Sequence, residues 1–243
     1  MKKLTIERTL IGFNDGIDAI NLLNDKFTFL SVLLNRLLSE KYNGKKIKFI
    51  NIFFYDNSEK LLKAYGKEYF FHYYGGQFTY KKVIDYDYFL KMNFYDQKIF
   101  IWKEAFEMLQ FAGKQLKNES LLISSEYAYH KGLEIGLNAD YRMIETNVFL
   151  FGENLRASLW VNFLEDKMQA NFTLEKDNKI VFNKLIDEGP NGMEFFLVMF
   201  KKIEQKDNSV IIRGAKDLNY LPLKISFKKY EGKVLVDNLI DSI

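Results

Sequence analysis

The chain has 243 residues, of which 48% are hydrophobic and 28% charged, and its 35 basic and 32 acidic side chains leave a formal net charge of +3. This balance lacks the basic surplus of a nucleic-acid-binding protein, and the absence of cysteine excludes disulfide scaffolds, thiolate metal sites and cysteine nucleophiles. No run approaches the roughly 20 apolar residues of a membrane helix, and Glu7 and Arg8 place charges where a signal peptide needs an apolar stretch, so we expect a soluble cytoplasmic protein without a membrane partner.

The first segments of the chain alternate between predicted strands and helices. Residues 3–13 carry a weak strand pattern, and residues 46–55 are apolar on both faces, which is typical of a strand buried on both sides. Between them lies the clearest helical stripe, with apolar residues three and four positions apart: Ile20, Leu23, Phe27, Leu30, Leu34 and Leu37. Strand, helix and strand in this order indicate a crossover unit, and a short helix is predicted next at 57–65.

An aromatic hairpin follows. The dipeptide Gly75-Gly76 separates two strand-like runs, 67–74 and 77–84, and favours a primed two-residue turn that fixes their register. One face of this hairpin, which we expect in the core, carries Tyr69, Phe71, Tyr73, Phe78 and Tyr80. The other face, which we expect in contact with water, carries Phe70, His72, Tyr74, Gln77, Thr79 and Lys81.

A long amphipathic helix is predicted over residues 97–117, with Trp102 beside its apolar stripe and therefore in the core. The pattern of residues 119–140 is ambiguous. We interpret it as the boundary between two subdomains, 1–140 and 141–243, with or without a common core.

From residue 141 onward, polar and apolar side chains alternate, as in an antiparallel meander with one buried face and one wet face. The predicted strands are 142–151, 155–164, 168–175, 179–186, 209–214, 222–229 and 233–237. Residues 193–204 fit either an amphipathic helix, which we favour, or a buried strand. The predicted fold class is α+β: a mixed N-terminal α/β part followed by a mainly antiparallel β-meander.

Motifs for catalysis are sparse. His72 and His130 are the only histidines, so a three-histidine metal site is impossible, and a two-histidine site would join elements far apart in sequence. Neither a phosphate-binding glycine loop nor a Gly-x-Ser-x-Gly nucleophile elbow occurs. We therefore predict no metal site and no cofactor.

Carboxylates are the remaining catalytic candidates. Asp85 and Asp87 would share one face of an extended segment, at a spacing at which two carboxylates can share a proton or a cation. Glu165 and Asp166 lie in a predicted turn between two strands. These acids define an alternative hypothesis, a carboxylate-dependent hydrolase or transferase, against the simpler interpretation that they are solvated.

The strongest departure from average composition is aromatic. Between Tyr65 and Tyr95 there are thirteen aromatic residues, eight Tyr and five Phe. Exposed aromatic side chains anchor protein interfaces, although the same residues also fill half-buried sheets. The predicted binding residues are His72, Tyr74, Lys81, Tyr86, Tyr88 and Trp160, the last on the polar side of its strand.

These features together favour a non-enzymatic protein-binding module whose partner is another protein. A cytosolic immunity- or inhibitor-type protein is one concrete form of this hypothesis. A flat aromatic patch with a polar rim would support it, whereas a deep pocket holding two convergent acids would support the enzyme.

Overall fold

The computed structural model describes residues 6–14, 18–44, 46–56, 58–67, 69–230 and 233–241. Residues 3–5, 57 and 68, which fall within predicted elements, lie outside the described residues, and so do the side chains of Ile20 and of 233–237. The chain divides into two compact units, unit 1 (residues 1–139) and unit 2 (residues 140–243). Unit 1 combines helices with a mixed sheet and unit 2 is antiparallel, which confirms the predicted α+β class.

The sheet of unit 1 has four strands in the order β1 (Arg8–Phe13), β2 (Phe49–Tyr55), β4 (Gln77–Val83) and β3 (Tyr69–Tyr74). The first three are parallel, and β3 runs antiparallel to β4. Helix α1 (Asp18–Lys41) connects β1 to β2, so the predicted crossover is confirmed. Its apolar stripe is buried from Leu23 to Leu37.

The hairpin of β3 and β4 has the predicted register, with Tyr74 opposite Gln77 at the turn. Gly75 and Gly76 both adopt positive φ angles, 58° and 86°, which glycine reaches without the steric cost of a Cβ. The two-residue turn therefore sets which side chains share a face.

The predicted core face of the hairpin packs against helix α4 (Phe94–Gln115). Phe78 and Tyr80 are buried, and the ring of Phe111 meets the ring of Tyr80 edge-on at 5.5 Å. Tyr69 also contacts Phe111, at 5.9 Å, but it lies at the rim and remains 38% exposed.

Three further helices complete unit 1: α2 (Ser58–Tyr65), α3 (Tyr86–Lys91) and α5 (Glu119–Glu134). Helix α5 occupies most of the segment that the sequence leaves ambiguous. Trp102 is core, as predicted, and its Nε1 donates to the Tyr129 carbonyl of α5 at 3.1 Å. Every helix of the described chain is too short or too polar to cross a lipid bilayer.

Polar side chains of α1 cover the outer edge of β1. The Ser31 hydroxyl accepts from the Ile11 N–H at 2.8 Å. Asn24 accepts from the Phe13 N–H at 2.6 Å and donates to the Phe13 carbonyl at 3.0 Å. These side chains replace the neighbouring strand that the edge lacks beside Ile11 and Phe13, so the outward backbone groups of these two residues are satisfied.

Unit 2 consists of two antiparallel sheets, each a meander in sequence order. The first contains β5 (Tyr141–Leu150), β6 (Glu153–Phe163), β7 (Lys167–Lys176) and β8 (Lys179–Pro190). The second contains β9 (Phe200–Lys206), β10 (Ser209–Gly214), β11 (Leu223–Tyr230) and β12 (Lys233–Asp241). Their apolar faces form one core, which includes Leu159, Val161, Phe172, Val210, Ile212 and Ile225.

The favoured helix over 193–204 is wrong. A single 3-10 turn, Glu194–Leu197, precedes strand β9, which pairs with β10. The buried residues Phe196, Phe200 and Ile203 are four and three positions apart, which is the spacing of a helical stripe. The antiparallel partner available across the following turn satisfies the backbone as a strand, and this pairing decides the conformation.

A side chain links the two sheets of unit 2 along one margin. The Gln205 amide of β9 accepts from the Phe149 N–H of β5 at 2.7 Å and donates to the Phe149 carbonyl at 2.6 Å. Gln205 thereby stands in for one residue of a neighbouring strand.

Candidate functional site

The first candidate site is the side of the unit 1 sheet opposite to Phe78 and Tyr80. We call it the aromatic face and define it by residues of α2, β3 and β4: Tyr65, Phe70, His72, Tyr74, Gln77, Thr79 and Lys81. His72, Tyr74 and Gln77 are exposed, as the hairpin pattern predicts, and the other strand residues are half-buried. This is the face on which three of the predicted binding residues meet.

Four rings form a column along the aromatic face. Tyr65 stacks on Phe70 at 3.9 Å, Phe70 lies 6.0 Å from His72, and His72 lies 6.5 Å from Tyr74. Their planes differ by only 17–27°, because alternate residues of a strand project in the same direction. The column ends at Tyr74, which is 79% exposed.

Lys81 lies beside this column on β4. Its Nζ donates to the Tyr65 hydroxyl at 3.2 Å and lies 5.4–5.7 Å from the ring centroids of Tyr55, Tyr65 and Phe70. Burial acts to lower the pKa of Lys81, but the Tyr65 hydrogen bond and the nearby Tyr55 raise it, and the net pKa lies above its usual value. The side chain is therefore a fixed cation held among rings.

Strand β3 forms the margin of this site because it is an edge strand, paired on one side with β4. An edge strand offers unpaired backbone N–H and C=O groups to an incoming strand. The six residues Tyr69–Tyr74 contain no proline and no Lys, Arg, Asp or Glu side chain that could block such pairing. The aromatic face therefore has a backbone edge as well as side chains to offer.

Two predicted binding residues of unit 1 lie outside the aromatic face. Tyr86 is only 4% exposed, and its hydroxyl donates to the Phe54 carbonyl at 3.1 Å, so it is a core residue of unit 1. Tyr88 is 61% exposed, but it lies on α3.

The structure does not gather the predicted carboxylates around a pocket. Asp85 caps α3 by accepting from the Tyr88 N–H at 2.9 Å, and Asp87 lies in the first helical turn, so the expected extended segment is wrong. Glu165 and Asp166 are exposed between β6 and β7, in the other unit. Among the described residues, no three His, Cys, Asp or Glu side chains are grouped as a metal site would require.

The second candidate site lies on the polar face of the first sheet of unit 2. We call it the polar pocket. It is an open depression of about 260 Å³, lined by residues of β6, β7 and β8: Trp160, Asn162, Asn171, Thr173, Ile180 and Asn183. Register explains this grouping, since Trp160 is opposite Asn171, and Thr173 is opposite Asn183.

Charged side chains border the polar pocket on the β5 side. The guanidinium of Arg142 lies 4.6 Å from the Trp160 ring and donates to both carboxylate oxygens of Glu175 at 3.0 Å. Arg156 lies 3.8 Å from the same carboxylate, and Glu145 accepts from Arg142 at 2.9 Å. The two cations and two anions balance, so this border carries little net charge.

Polar atoms without partners concentrate on the same face. The described chain has five buried side-chain N or O atoms that make no hydrogen bond, and three belong to neighbouring residues here: Arg142 Nε, Ser158 Oγ and Trp160 Nε1. Such groups are expensive to bury unpaired and commonly mark a binding position. The alternation of polar and apolar residues in the sequence predicts the polar face of β6 and β7. It does not predict that Ile180 and Asn183 of β8 line the pocket, because the register of β8 against β7 shifts between these residues.

No protein-family model matches the chain, no curated protein is significantly similar to it, and no solved structure is significantly similar to its fold. The chemistry of the aromatic face and of the polar pocket therefore carries the functional interpretation.

Proposed function

We propose that this chain is a non-enzymatic protein-binding module that captures an extended, acidic segment of a partner protein on the aromatic face. The observation that carries the proposal is the exposed ring column beside Lys81, on a strand with a free edge. Rigid aromatic side chains supply large contact areas at little entropic cost, and they dominate protein interfaces.

The acidic character of the partner follows from Lys81. Within the described chain, Lys81 contacts rings and hydroxyl groups and no carboxylate. A partner carboxylate would complete the ion pair in a partly desolvated setting, where such a pair adds both affinity and orientation.

The extended character of the partner follows from β3. A segment that adds to this edge gains main-chain hydrogen bonds, and alternate side chains then lie over His72 and Tyr74. In one form of this proposal the captured partner is a toxin or an enzyme, and the chain is then an immunity- or inhibitor-type protein. A cysteine-free chain is compatible with the reducing cytoplasm that we propose as its location.

Site-specific photo-crosslinking in native cell lysate tests the proposal. A photoreactive phenylalanine replaces Tyr74 in one sample and Tyr95, a 59% exposed residue of α4, in the control. We expect a protein that is captured from position 74 and not from position 95. The same captured set at both positions would contradict the proposal.

Binding of the captured protein to purified variants provides the quantitative arm. Removing an interface anchor costs about 2 kcal/mol, or roughly thirtyfold in Kd. We expect this loss for Tyr74→Ala and for Lys81→Met, and an unchanged Kd for Tyr95→Ala. The affinity of the wild type should fall with added salt, and the Lys81→Met variant should show a weaker salt dependence.

A further inference from the structure

We infer that the polar pocket of unit 2 binds a neutral carbohydrate, taking one sugar residue between Trp160 and the asparagine amides. This inference is independent of the protein-binding proposal, because its residues lie in unit 2 and those of the aromatic face lie in unit 1.

The chemistry of the lining side chains selects the ligand. Asn162, Asn171 and Asn183 carry amides, each of which both donates and accepts, and the Thr173 hydroxyl does the same. Vicinal hydroxyl groups of a sugar need this alternation of donors and acceptors. None of the residues that line the pocket is charged, so an ionic ligand would lose its hydration without gaining a counter-charge.

A fixed hydrogen-bond chain orients the amides. Asn162 Nδ2 donates to the Asp140 carboxylate at 3.0 Å, and Asn171 Nδ2 donates to Asn162 Oδ1 at 2.9 Å. Because an ionised carboxylate only accepts, it sets the direction of both amides. Asn171 Oδ1 makes no hydrogen bond within the described chain and is left to accept from a ligand hydroxyl.

Trp160 and Ile180 supply the apolar wall on which the C–H face of a sugar ring can lie. The Trp160 ring is held in place by Arg142, which Glu175 fixes through two hydrogen bonds. A platform that is fixed before binding reduces the entropic cost of binding.

The size of the pocket limits the ligand to a single ring. Its volume of about 260 Å³ lies just below the roughly 300 Å³ at which pockets for drug-sized molecules begin. A single sugar, or one residue of a longer glycan, matches this space. The openness of the sheet face allows the remainder of a glycan to extend into solvent.

The two tryptophans make a direct test possible in the unmodified protein. The indole N–H groups of Trp160 and Trp102 give separate signals in a two-dimensional ¹H–¹⁵N spectrum, and the Trp160→Phe variant identifies which signal is which. Trp102 is 1% exposed and hydrogen-bonded, so it serves as an internal control. The probes are neutral hexoses, N-acetylhexosamines and their disaccharides, together with a uronic acid and a nucleoside.

We expect at least one neutral sugar to shift the Trp160 signal in a saturable manner while the Trp102 signal stays in place. Asn171→Ala and Asn183→Ala should each weaken this binding at least tenfold. Asn147→Ala is the matched control, because Asn147 is exposed on the same face and pairs with Arg156 outside the pocket. No saturable Trp160 shift with any neutral sugar, a response to the nucleoside or uronic acid alone, or equal weakening by Asn147→Ala would overturn the inference.

Discussion

Glu175 is a buried carboxylate that holds two arginines on the polar face of unit 2. It is 6% exposed, and its two oxygens receive the guanidinium of Arg142 while Arg156 lies close by. A buried carboxylate that faces two cations and whose two oxygens both accept from one guanidinium nitrogen satisfies its lone pairs, whereas removal of its charge leaves Arg142 with the more exposed Glu145 as its counter-ion.

Replacing Glu175 by Gln should therefore lower the free energy of unfolding by about 2 kcal/mol, the range for hydrogen bonds to charged groups. Urea denaturation followed by circular dichroism measures the change. Glu188→Gln is the control, because Glu188 accepts from Lys167 at 3.0 Å on the same sheet with its side chain 46% exposed. Equal losses for the two variants would show that burial of the carboxylate is unimportant here.

Tyr80 gives the chain a predictable response to alkali. Burial, with smaller contributions from Tyr69 and Glu104, raises its pKa from 10.0 to about 12. The unfolded chain then loses this proton at lower pH than the folded chain does. The stability contributed by Tyr80 is complete below pH 10 and is lost as pH rises toward 12.

The decline in urea midpoint between pH 9 and pH 11.5 should consequently be shallower for Tyr80→Phe than for the wild type. The pH range begins below the unfolded-state pKa of Tyr80, 10.0, and rises toward its folded-state pKa of about 12. Tyr74→Phe, at a residue 79% exposed, should keep the wild-type slope. Parallel slopes for all three proteins would contradict the assignment.

At the scale of single residues, sequence patterns identify the face of the strand on which a side chain lies. They do not identify the residues that pack against that side chain. Trp160 is correctly placed on the polar side of β6, yet only the fold shows that Arg142 and the pocket flank it. Tyr86 shows the same limit. Its position among alternating acids and tyrosines does not reveal that helix α3 turns its ring inward.

At the scale of elements, named side chains of helix α1 protect the outer edge of strand β1 from pairing with another strand. A strand edge normally needs a neighbouring strand or a charge to block further pairing. Here Ser31 and Asn24 of α1 satisfy the β1 backbone, so the helix both packs on the sheet and closes it.

Ser31→Ala should destabilise the protein by about 1–2 kcal/mol, since it leaves the Ile11 N–H buried without an acceptor. Thr28→Ala is a suitable control. The Thr28 hydroxyl donates to the Asn24 carbonyl of its own helix at 2.8 Å, and no strand backbone group depends on it. Thermal unfolding should give a lower Tm for Ser31→Ala than for Thr28→Ala. The same Tm for Ser31→Ala and the wild type would contradict the role of Ser31 in protecting the edge of β1.

Elements with strong local signals are those that the sequence predicts correctly. The hairpin register follows from two adjacent glycines, and α1 follows from a long stripe. Helix α3 is missed because it is six residues long and begins at an aspartate cap within alternating tyrosines. Strand β9 is missed because its conformation depends on pairing with β10, a partner that local patterns do not contain.

At the scale of the molecule, the hydrogen bonds on either side of the junction between Ala139 and Asp140 belong to different units. The Ala139 carbonyl accepts from Arg36 in unit 1 at 2.8 Å. The Asp140 carboxylate accepts from the Phe163 N–H in unit 2 at 2.7 Å. The buried cluster of unit 2 is drawn entirely from residues 140–243.

We therefore expect the fragments 1–139 and 140–243, expressed separately, each to unfold cooperatively. Near-ultraviolet circular dichroism of each fragment measures this, with the full chain as reference. Each fragment keeps one tryptophan, Trp102 or Trp160, as its own reporter. A fragment without a thermal transition would show that the two units require each other.

The closure of unit 2 by Gln205 has a consequence for local motion. The Phe149 amide proton is shielded by a side chain that can rotate away, whereas ladder amides are shielded by backbone on a fixed strand. Deuterium should therefore replace that proton sooner than it replaces the amide protons of β6 and β7. We therefore expect the margin between β5 and β9 to open more readily than the central strand ladders of unit 2, because one glutamine side chain holds it there.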